Sequence, residues 1–388
     1  MIMATLVIKN IGTIVSGDIN KPILDGSVIV IEDNLIQAIG GEELLANIGD
    51  AKVVDANGTT VTPGLWDTHV HVTTADGYGV RQKTIGFIDS AKHGGVTTMI
   101  SAGEAHYPGR PKDPAGTKAL AIVGHKSFAN AKPDGVKVEG GALIMEKGLV
   151  EQDFADLAEQ GCWIVGEVGL GSINNPELAA PMVEWAHKYG FKVQMHTGGT
   201  SIPGSSTVTA DDVIKTKPDV VSHINGGPTS IPESEVDRIM DETEFAMEIV
   251  QMGNPKIAQY TLNRAAEKGQ LGRIIFGNDA PSGSGILPLG ILRNISFAAS
   301  MTDIAPELCV AMATGNPAKV YTKCNRGVIA PGKEADLLIM DAPMGSVGKT
   351  ALEAFKVGDL PGLSYVIIDG KINVTKSRNT PPAVRKPL

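Results

Sequence analysis

The chain has 388 residues, of which 42% are hydrophobic and 20% are charged. This composition excludes a largely disordered chain, and the length suits one large α/β domain with an accessory module. The formal net charge of −9, without any basic block, argues against binding to nucleic acid or to an anionic membrane surface, so a small molecule is the expected partner.

The first residues and the three cysteines indicate the expected location and thiol state of the protein. No apolar run of about 18 residues occurs, and the first residues lack a basic segment followed by a long apolar one, so we expect a cytoplasmic protein. Cys162, Cys309 and Cys324 form no Cys-x-x-Cys pair and are odd in number. This pattern favours free thiols over a disulfide framework or a thiolate zinc site.

The first 61 residues are typical of a β-rich module. Strands are predicted over residues 5–9, 12–15, 26–32, 35–40 and 52–55. Asp33-Asn34 and Asn57-Gly58 are turn dipeptides between or after these strands.

Residues 62–326 alternate short apolar runs with longer helical patterns, which is typical of βα units and a parallel sheet. Eight strands are predicted over residues 62–71, 96–102, 138–145, 163–168, 192–197, 220–224, 245–252 and 273–277. Helices are predicted between them, among others over residues 81–93, 149–160, 176–188, 255–268 and 289–300. Eight such units predict a catalytic (β/α)8 TIM barrel, whose active site lies at the carboxyl ends of the strands.

Short β-strand patterns occur again after residue 326, with strands predicted over residues 327–329, 335–341, 363–368 and 371–374. We expect the two ends of the chain to meet, because a joint sheet would cover strand edges that neither end can cover alone. The predicted organisation is a small composite β-sandwich domain, residues 1–61 with 327–388, beside the barrel of residues 62–326.

The first predicted barrel strand ends in Val-Thr-Pro-Gly-Leu-Trp-Asp-Thr-His-Val-His at residues 61–71. His69 and His71 are two residues apart and therefore lie on the same face of a strand. Two converging imidazoles suit a metal ion, and a bound metal ion provides a nucleophile for hydrolysis at neutral pH. The motif alone is a weak signal, because strand histidines are more often hydrogen-bonded core residues.

Four further polar residues mark the ends of later strands, namely Glu167 on strand 4, His196 on strand 5, His223 on strand 6 and Asp279 after strand 8. The intervals from Glu167 to His196 and from His196 to His223 are 29 and 27 residues, or one βα unit each. His223 and Asp279 are 56 residues apart, or two units, which leaves strand 7 without a ligand. Six ligands exceed what one four-coordinate zinc with an open position needs, so we predict two divalent metal ions bridged by Glu167.

This pattern resembles the amidohydrolase superfamily over nearly the whole chain. Ala-Thr-Gly-Asn-Pro-Ala at residues 313–318 and Gly-Val-Ile-Ala-Pro-Gly-Lys-Glu-Ala-Asp-Leu at residues 327–337 also look like motifs of that family. The resemblance implies two metal positions, one held by His69, His71 and Asp279 and the other by His196 and His223. Many two-metal members use a carboxylated lysine as the bridge, and Glu167 replaces it in this chain.

The glutamate bridge, with Glu-Val-Gly-Leu-Gly at residues 167–171 and His-Thr-Gly-Gly-Thr-Ser at residues 196–201, is similar to one branch of the superfamily. This closer resemblance implies opening of a lactam, 6-oxo-1,4,5,6-tetrahydronicotinate, to 2-formylglutarate and ammonia in nicotinate degradation. It further implies Zn²⁺ and Fe²⁺, a homotetramer, and Asp279 as the catalytic residue that moves a proton. Imidazole and carboxylate ligands also suit manganese, cobalt or nickel, so the ligand types alone do not select the metals.

An anionic substrate requires a cation near the site. The loop after strand 2 lies on the catalytic face, and we predict that His106, Tyr107 and Arg110 bind the substrate, with Arg110 able to pair with a carboxylate through two hydrogen bonds. One alternative is another amidohydrolase, a dihydroorotase-like or hydantoinase-like cyclic amidase or a deacetylase. A second is a non-catalytic scaffold barrel, although such relatives usually lack several of the six ligands.

Overall fold

The protein is described by a computed structural model that covers residues 5–72, 80–103, 110–169, 171–199, 207–227, 229–281 and 285–388. Its N-terminal part consists of short strands with one 3-10 helix at Glu42–Asn47. The strands are β1 (Leu6–Lys9), β2 (Thr13–Val15), β3 (Ile23–Leu24), β4 (Val28–Glu32), β5 (Leu35–Gly40), β6 (Lys52–Asp55) and β7 (Thr60–Pro63).

The middle of the chain alternates strands and helices, as the sequence predicts. The strands are β8 (Leu65–Val70), β9 (Val96–Ser101), β10 (Lys137–Glu139), β11 (Ile164–Val168), β12 (Lys192–His196), β13 (Val220–Ser222), β14 (Ala246–Val250) and β15 (Ile274–Gly277). The helices are α1 (Val80–Lys92), α2 (Pro114–Asn130), α3 (Glu151–Glu159), α4 (Pro176–Lys188), α5 (Ala210–Thr216), α6 (Glu233–Glu242), α7 (Pro255–Glu267) and α8 (Gly290–Met301).

The C-terminal part contains three short helices and three strands. They are α9 (Pro306–Met312), α10 (Gly315–Val320), β16 (Leu337–Asp341), α11 (Ala351–Lys356), β17 (Gly362–Ile368) and β18 (Lys371–Val374). The predicted strand over residues 327–329 is wrong. Gly327 has a φ of 96°, outside the strand region, and the Ile329 amide donates to the carbonyl of Ser16 at 2.7 Å without joining a ladder.

The middle strands form two parallel sheets, β8-β9-β10 and β11-β12-β13-β14-β15. Parallel bridges join the sheets at both junctions, one between Leu143 and Val165 and one between Val70 and Ala280. The carboxyl ends of all eight strands therefore lie at the same edge, where polar residues from different strands can converge.

The helices of the middle region bury one apolar face each. In α6, Val236, Ile239 and Met240 are spaced by three and four residues and are fully buried, so they form a single stripe against the core. Burial of such side chains contributes roughly 1.5–3 kcal/mol each. Among the helices of the described ranges, none combines the length and the apolar character that crossing a membrane requires.

Two further sheets contain the strands of the chain ends. One has the order β5-β4-β1-β6, and the other, β18-β17-β16-β7-β2-β3, combines strands from both ends. Within the second sheet, β16 pairs with β7 in antiparallel register, which places Ile339 opposite Val61. Ile8 and Ile29 of the first sheet share one buried apolar cluster with Ile339 of the second, so the predicted meeting of the chain ends is present.

Glycines break two of the predicted strands. The prediction over residues 62–71 corresponds to two strands in different sheets, β7 and β8, which separate at Gly64. A Cβ atom at Gly64 would lie 2.1 Å from the Thr97 hydroxyl oxygen, so the glycine lets the chain pass close to β9. The prediction over residues 138–145 ends early because Gly141 has a φ of 86°, although Leu143 still bridges to β11.

Asp219 directly precedes β13 and lies at the amino-terminal end of this strand, away from the carboxyl ends at which the predicted ligands lie. Its carboxylate accepts hydrogen bonds from Lys192 Nζ at 2.7 Å and from the Val193 amide at 2.9 Å, and it lies 2.9 Å from His187 Nε2. Burial alone would raise the pKa of Asp219, but these three partners outweigh burial and hold the pKa below its usual 3.8. The ionised carboxylate therefore stabilises the folded state above the usual pKa, and this contribution is lost as the pH falls through the lower folded-state value.

We expect Asp219→Asn to lower the free energy of unfolding at pH 7 by roughly 1–3 kcal/mol, because a charge-assisted hydrogen-bond acceptor is lost. The difference between wild type and variant should shrink below about pH 4, as wild-type Asp219 becomes protonated. Urea unfolding at pH 7, 4 and 2.5 measures this difference. A difference that stays constant over the whole range would contradict the assigned role.

Candidate metal centre

The structure brings all six predicted ligands together at the carboxyl ends of the parallel strands. They are His69, His71, Glu167, His196, His223 and Asp279. The Glu167 carboxylate lies at the centre, 2.6 Å from His223 Nε2, 3.5 Å from both His69 Nε2 and His196 Nδ1, and 3.8 Å from His71 Nε2. The whole cluster is therefore compact enough for its ligands to share ions.

The Asp279 carboxylate closes the other side of the cluster. Its Oδ1 atom lies 3.1 Å from His71 Nε2 and 3.6 Å from His69 Nε2. The ligand atoms of His69, His71 and Asp279 all lie within 4.8 Å of one another, and so do those of His69, Glu167 and His223. His69 belongs to both groups, so the two groups are adjacent.

The buried imidazole nitrogens fit metal ions. His69 Nε2 and His196 Nδ1 are buried, point towards Glu167, and form no hydrogen bond with any residue of the described ranges. A buried polar nitrogen without such a bond is costly, and a divalent ion is the partner that mixed imidazole and carboxylate ligands suit. The donor set is thus consistent with metal binding.

Two of the six residues have strained backbones. His223 follows β13 with a φ of 34°, and Asp279 follows β15 with a φ of 59°. Left-handed conformations of non-glycine residues cost roughly 1–3 kcal/mol and persist where the surroundings impose them. The amide of Asp279 donates to the carbonyl of His69 at 3.0 Å, which holds the turn after β15 against β8.

Charges inside the cluster compensate one another. Burial would raise the pKa of Glu167, but the imidazoles of His69 and His223 outweigh burial and hold this pKa well below its usual range. Burial would lower the pKa of His69, but Glu167 and Glu248 outweigh it and raise that pKa well above its usual value. The pKa of Asp279 is lowered despite burial, mainly by its contact with His71. Because metal ions bind neutral imidazole, a proton on His69 would have to leave before this residue could hold a metal ion.

The sequence did not predict two buried carboxylates beside the ligands. Glu248 of β14 contacts His69 Nδ1 at 2.6 Å, although strand 7 supplies no ligand. Asp67 of β8 accepts hydrogen bonds from the Asn278 amide at 2.9 Å and from Asn278 Nδ2 at 2.6 Å, and burial raises the pKa of Asp67 to about 7. One sequence feature could have indicated both residues, namely a carboxylate within an otherwise apolar strand. For Asp67 there was a second feature, because it lies two residues before His69 and therefore on the same face of the strand.

Of the predicted substrate-binding residues, His106 and Tyr107 lie outside the described residues. Arg110 Nη1 lies 2.6 Å from Oε1 of Glu146, a fully buried carboxylate. Glu146 Oε2 also accepts a hydrogen bond from the Ser172 amide at 3.0 Å, so the pair connects the segments after β9, β10 and β11. A contact of Arg110 with substrate stays a prediction.

A third acidic group, Glu334, Asp336 and Asp369, also has ligand atoms within 4.8 Å of one another. Lys137 Nζ lies 2.7 Å from Glu334 and Asp369 and 2.8 Å from Asp336. The ammonium group occupies the position that a cation would take, and two further cations contact the cluster, Arg326 at 3.4 Å from Glu334 and Lys132 at 3.1 Å from Asp369. We interpret this group as an ion-pair network that joins β10 to the C-terminal sheet.

Histidines and carboxylates at the carboxyl edge of a parallel sheet are typical of metal-dependent α/β hydrolases. Residues 254–373 match the family described as the amidohydrolase family. The curated enamidase of Eubacterium barkeri is 71% identical over 383 residues, which cover 99% of this chain and 99% of that protein. The chain therefore belongs to the amidohydrolase superfamily, a group of hydrolases, and the predicted family is confirmed.

Solved structures and more distant relatives agree with this assignment. The crystal structure of enamidase, described as a new member of the amidohydrolase superfamily, superposes with a TM-score of 0.95 at 71% identity and covers 99% of both chains. The dihydroorotase of Halalkalibacterium halodurans is 32% identical over 169 residues, which cover 43% of this chain and 36% of that enzyme. The enamidase likeness thus extends over the full length of the chain, whereas this dihydroorotase matches less than half.

Proposed function

We propose that this chain hydrolyses a cyclic amide, opening 6-oxo-1,4,5,6-tetrahydronicotinate to 2-formylglutarate and ammonia in nicotinate degradation. The observation that carries the proposal is the 71% identity to an enamidase over 99% of both chains. The compact group of histidines and carboxylates supports it, because amide hydrolysis at neutral pH requires an activated water and a polarised carbonyl. The partial match to a dihydroorotase makes that activity the weaker candidate.

The proposed cofactors are two divalent metal ions per chain, Zn²⁺ and Fe²⁺. His69, His71 and Asp279 would hold one ion, His196 and His223 the other, and Glu167 would contact both in place of a carboxylated lysine. When bound, such ions polarise a carbonyl oxygen and make water a nucleophile at neutral pH. The central position of Glu167, within 3.8 Å of all four imidazoles, supports its role as the shared ligand.

Asp279 is the proposed proton carrier. Its carboxylate lies 3.1 Å from His71 Nε2 and 3.6 Å from His69 Nε2, beside the proposed metal positions, where it would accept a proton from the attacking water and transfer it to the departing ring nitrogen. Water first adds to the amide carbonyl and forms the new C–O bond, and the C–N bond then breaks as the ring nitrogen takes up the proton. This step consumes one water and leaves an enamine. Tautomerisation to an imine and addition of a second water then release ammonia and leave the aldehyde.

The proposal includes an architecture that would support this site. The eight parallel strands would form one closed (β/α)8 barrel over residues 62–326, and both chain ends, residues 1–61 and 327–388, would form a β-sandwich. The two bridges between the parallel sheets and the mixed sheet built from both ends support this division. We further propose a cytoplasmic homotetramer that binds a small anionic cyclic amide and neither nucleic acid nor membrane.

A substrate panel with metal analysis tests the function. The purified protein, loaded with Zn²⁺ and Fe²⁺, should release ammonia from 6-oxo-1,4,5,6-tetrahydronicotinate and contain two metal equivalents per chain. Ring opening of dihydroorotate without ammonia release from the lactam would favour the other candidate. A chain with two metal equivalents that hydrolyses neither compound would contradict the proposal.

Replacement of Arg110 tests the predicted substrate contact. We expect Arg110→Gln to raise KM for the anionic lactam by roughly 10-fold to 100-fold with a smaller change in kcat, because a charge-assisted hydrogen bond to a carboxylate contributes roughly 1.5–3 kcal/mol. The uncharged carboxamide analogue of the substrate should bind both proteins equally.

The matched control is Glu146→Gln, which removes the partner of Arg110 and leaves its guanidinium in place. Steady-state kinetics of the two variants separate the possible roles. An equal increase in KM for Arg110→Gln and Glu146→Gln would show that the ion pair maintains the structure of the site and that Arg110 does not contact the substrate.

A further inference from the structure

Glu248 lies in the middle of β14, between Met247 and Ile249 in the sequence, and is fully buried. Both of its carboxylate oxygens have partners on β8: Oε2 lies 2.6 Å from His69 Nδ1, and Oε1 accepts a hydrogen bond from the Thr68 hydroxyl at 2.5 Å. The His223 amide also donates to Oε2, at 3.4 Å. Glu248 therefore contacts the backbone or side chain of two residues that the proposed metal centre uses.

A glycine makes the contact between β14 and β8 possible. The strand β15 lies between them, because it pairs with β14 and its end packs against β8. At Gly277 of β15, an added Cβ atom would lie 2.6 Å from the Cβ of His69 and 3.2 Å from Oε1 of Glu248. A side chain at this position would collide with His69 and crowd Glu248, so the glycine leaves room for their contact.

The contact determines which nitrogen of His69 faces the site. A carboxylate at Nδ1 favours the tautomer that carries its proton there, which leaves the lone pair of Nε2 free to bind a metal ion. Nε2 lies 3.5 Å from Glu167 and 3.6 Å from Asp279, on the side of the ring that faces the other ligands. The Thr68 contact in turn holds the glutamate, so neither the ring nor the carboxylate can rotate freely.

We propose that Glu248 is a positioning residue of the metal centre, which fixes the orientation and the tautomer of His69 from a strand that provides no ligand. The inference rests on the proposed metal centre and extends it to β14. A carboxylate buried to this extent is costly unless its partners compensate it, and here the compensation comes from the ligand strand itself.

Metal release tests the proposal. In the Glu248→Gln protein loaded with Zn²⁺, we expect release to a chelator to be roughly 10-fold to 100-fold faster than in wild type, the usual effect of losing a partner of a metal-bound histidine. Excess Zn²⁺ should restore much of the turnover. Thr68→Val keeps the carboxylate but frees one of its oxygens, so it should accelerate release by a smaller factor.

Asp341→Asn is the matched control. Asp341 is a buried carboxylate of β16 that pairs with Arg385 and contacts none of the six ligands. This variant should lose thermal stability yet release Zn²⁺ at the wild-type rate. The metal-free forms of all variants, compared by thermal unfolding, separate a loss of stability from a loss of metal affinity.

The outcomes distinguish this inference from the proposed function. If the wild-type protein binds no metal, the proposed function is overturned. If Glu248→Gln releases Zn²⁺ at the wild-type rate, only the role of Glu248 is overturned. If Glu248→Gln does not fold, Thr68→Val decides, because it removes a hydrogen-bond partner of Glu248 and leaves all six proposed ligands unchanged. Faster release from Thr68→Val would support the proposal, and release at the wild-type rate would overturn it.

Discussion

Replacement of Asp279 by Asn should lower kcat/KM by at least roughly 100-fold while most of the metal stays bound. Asparagine keeps an oxygen ligand of the same length but cannot accept a proton, and general acid–base catalysis contributes roughly 10²-fold to 10⁴-fold. The lowered pKa of Asp279 means that wild type presents the ionised form at neutral pH. Steady-state kinetics, with elemental analysis of the same preparation, measure both quantities.

The comparison requires a variant with the same chemical change at a distant position. Asp219→Asn is suitable, because Asp219 lies at the opposite end of its strand and contacts Lys192 and Val193. Its turnover at pH 7 should equal that of wild type. Near-normal turnover of Asp279→Asn would exclude the proton-carrier role, and a loss that merely follows the loss of metal would assign Asp279 to metal binding alone.

The fold could be predicted as far as local patterns determine it. The alternation of strands and helices follows from hydrophobic periodicity, and the strand ends were correct to within a few residues for β9, β11 and β12. The errors at Gly64 and Gly141 have a different origin. At both positions the chain must approach a distant segment closely, the Thr97 side chain and the Ala121 carbonyl respectively, and such long-range contacts leave no periodic signal in the sequence.

The convergence of the six residues was predictable because equal intervals along βα units place strand ends at the same edge. The surroundings of these residues were not. Glu248 looks like an isolated charge in an apolar strand until the fold brings Thr68 and His69, about 180 residues earlier, into contact with it. Likewise, the pairing of Arg110 with Glu146 depends on how two loops meet, which neither loop sequence reveals.

Replacement of Glu167 by Gln should produce the largest loss of metal. Glu167 is 2% exposed and lies within 3.8 Å of all four imidazoles, so an uncharged amide removes the only group that faces every histidine of the cluster within the described residues. We expect at most one metal equivalent per chain and a loss of turnover of more than roughly 100-fold. Elemental analysis and the lactam assay measure these effects.

The metal-free Glu167→Gln protein should also be less stable than metal-free wild type. Glu167 raises the pKa values of His69 and His223, so its carboxylate compensates positive charge on these two imidazoles. Removing one partner of a buried ion pair lowers the free energy of unfolding by roughly 3–5 kcal/mol. The loss is smaller where the imidazoles become neutral by losing their protons. Glu146→Gln is the matched control, since Glu146 is an equally buried glutamate whose partner, Arg110, is a cation outside the cluster. It should lose stability and still bind two metal ions. Retention of both ions by Glu167→Gln would mean that the histidines and Asp279 suffice, and that the glutamate compensates charge without bridging the metals.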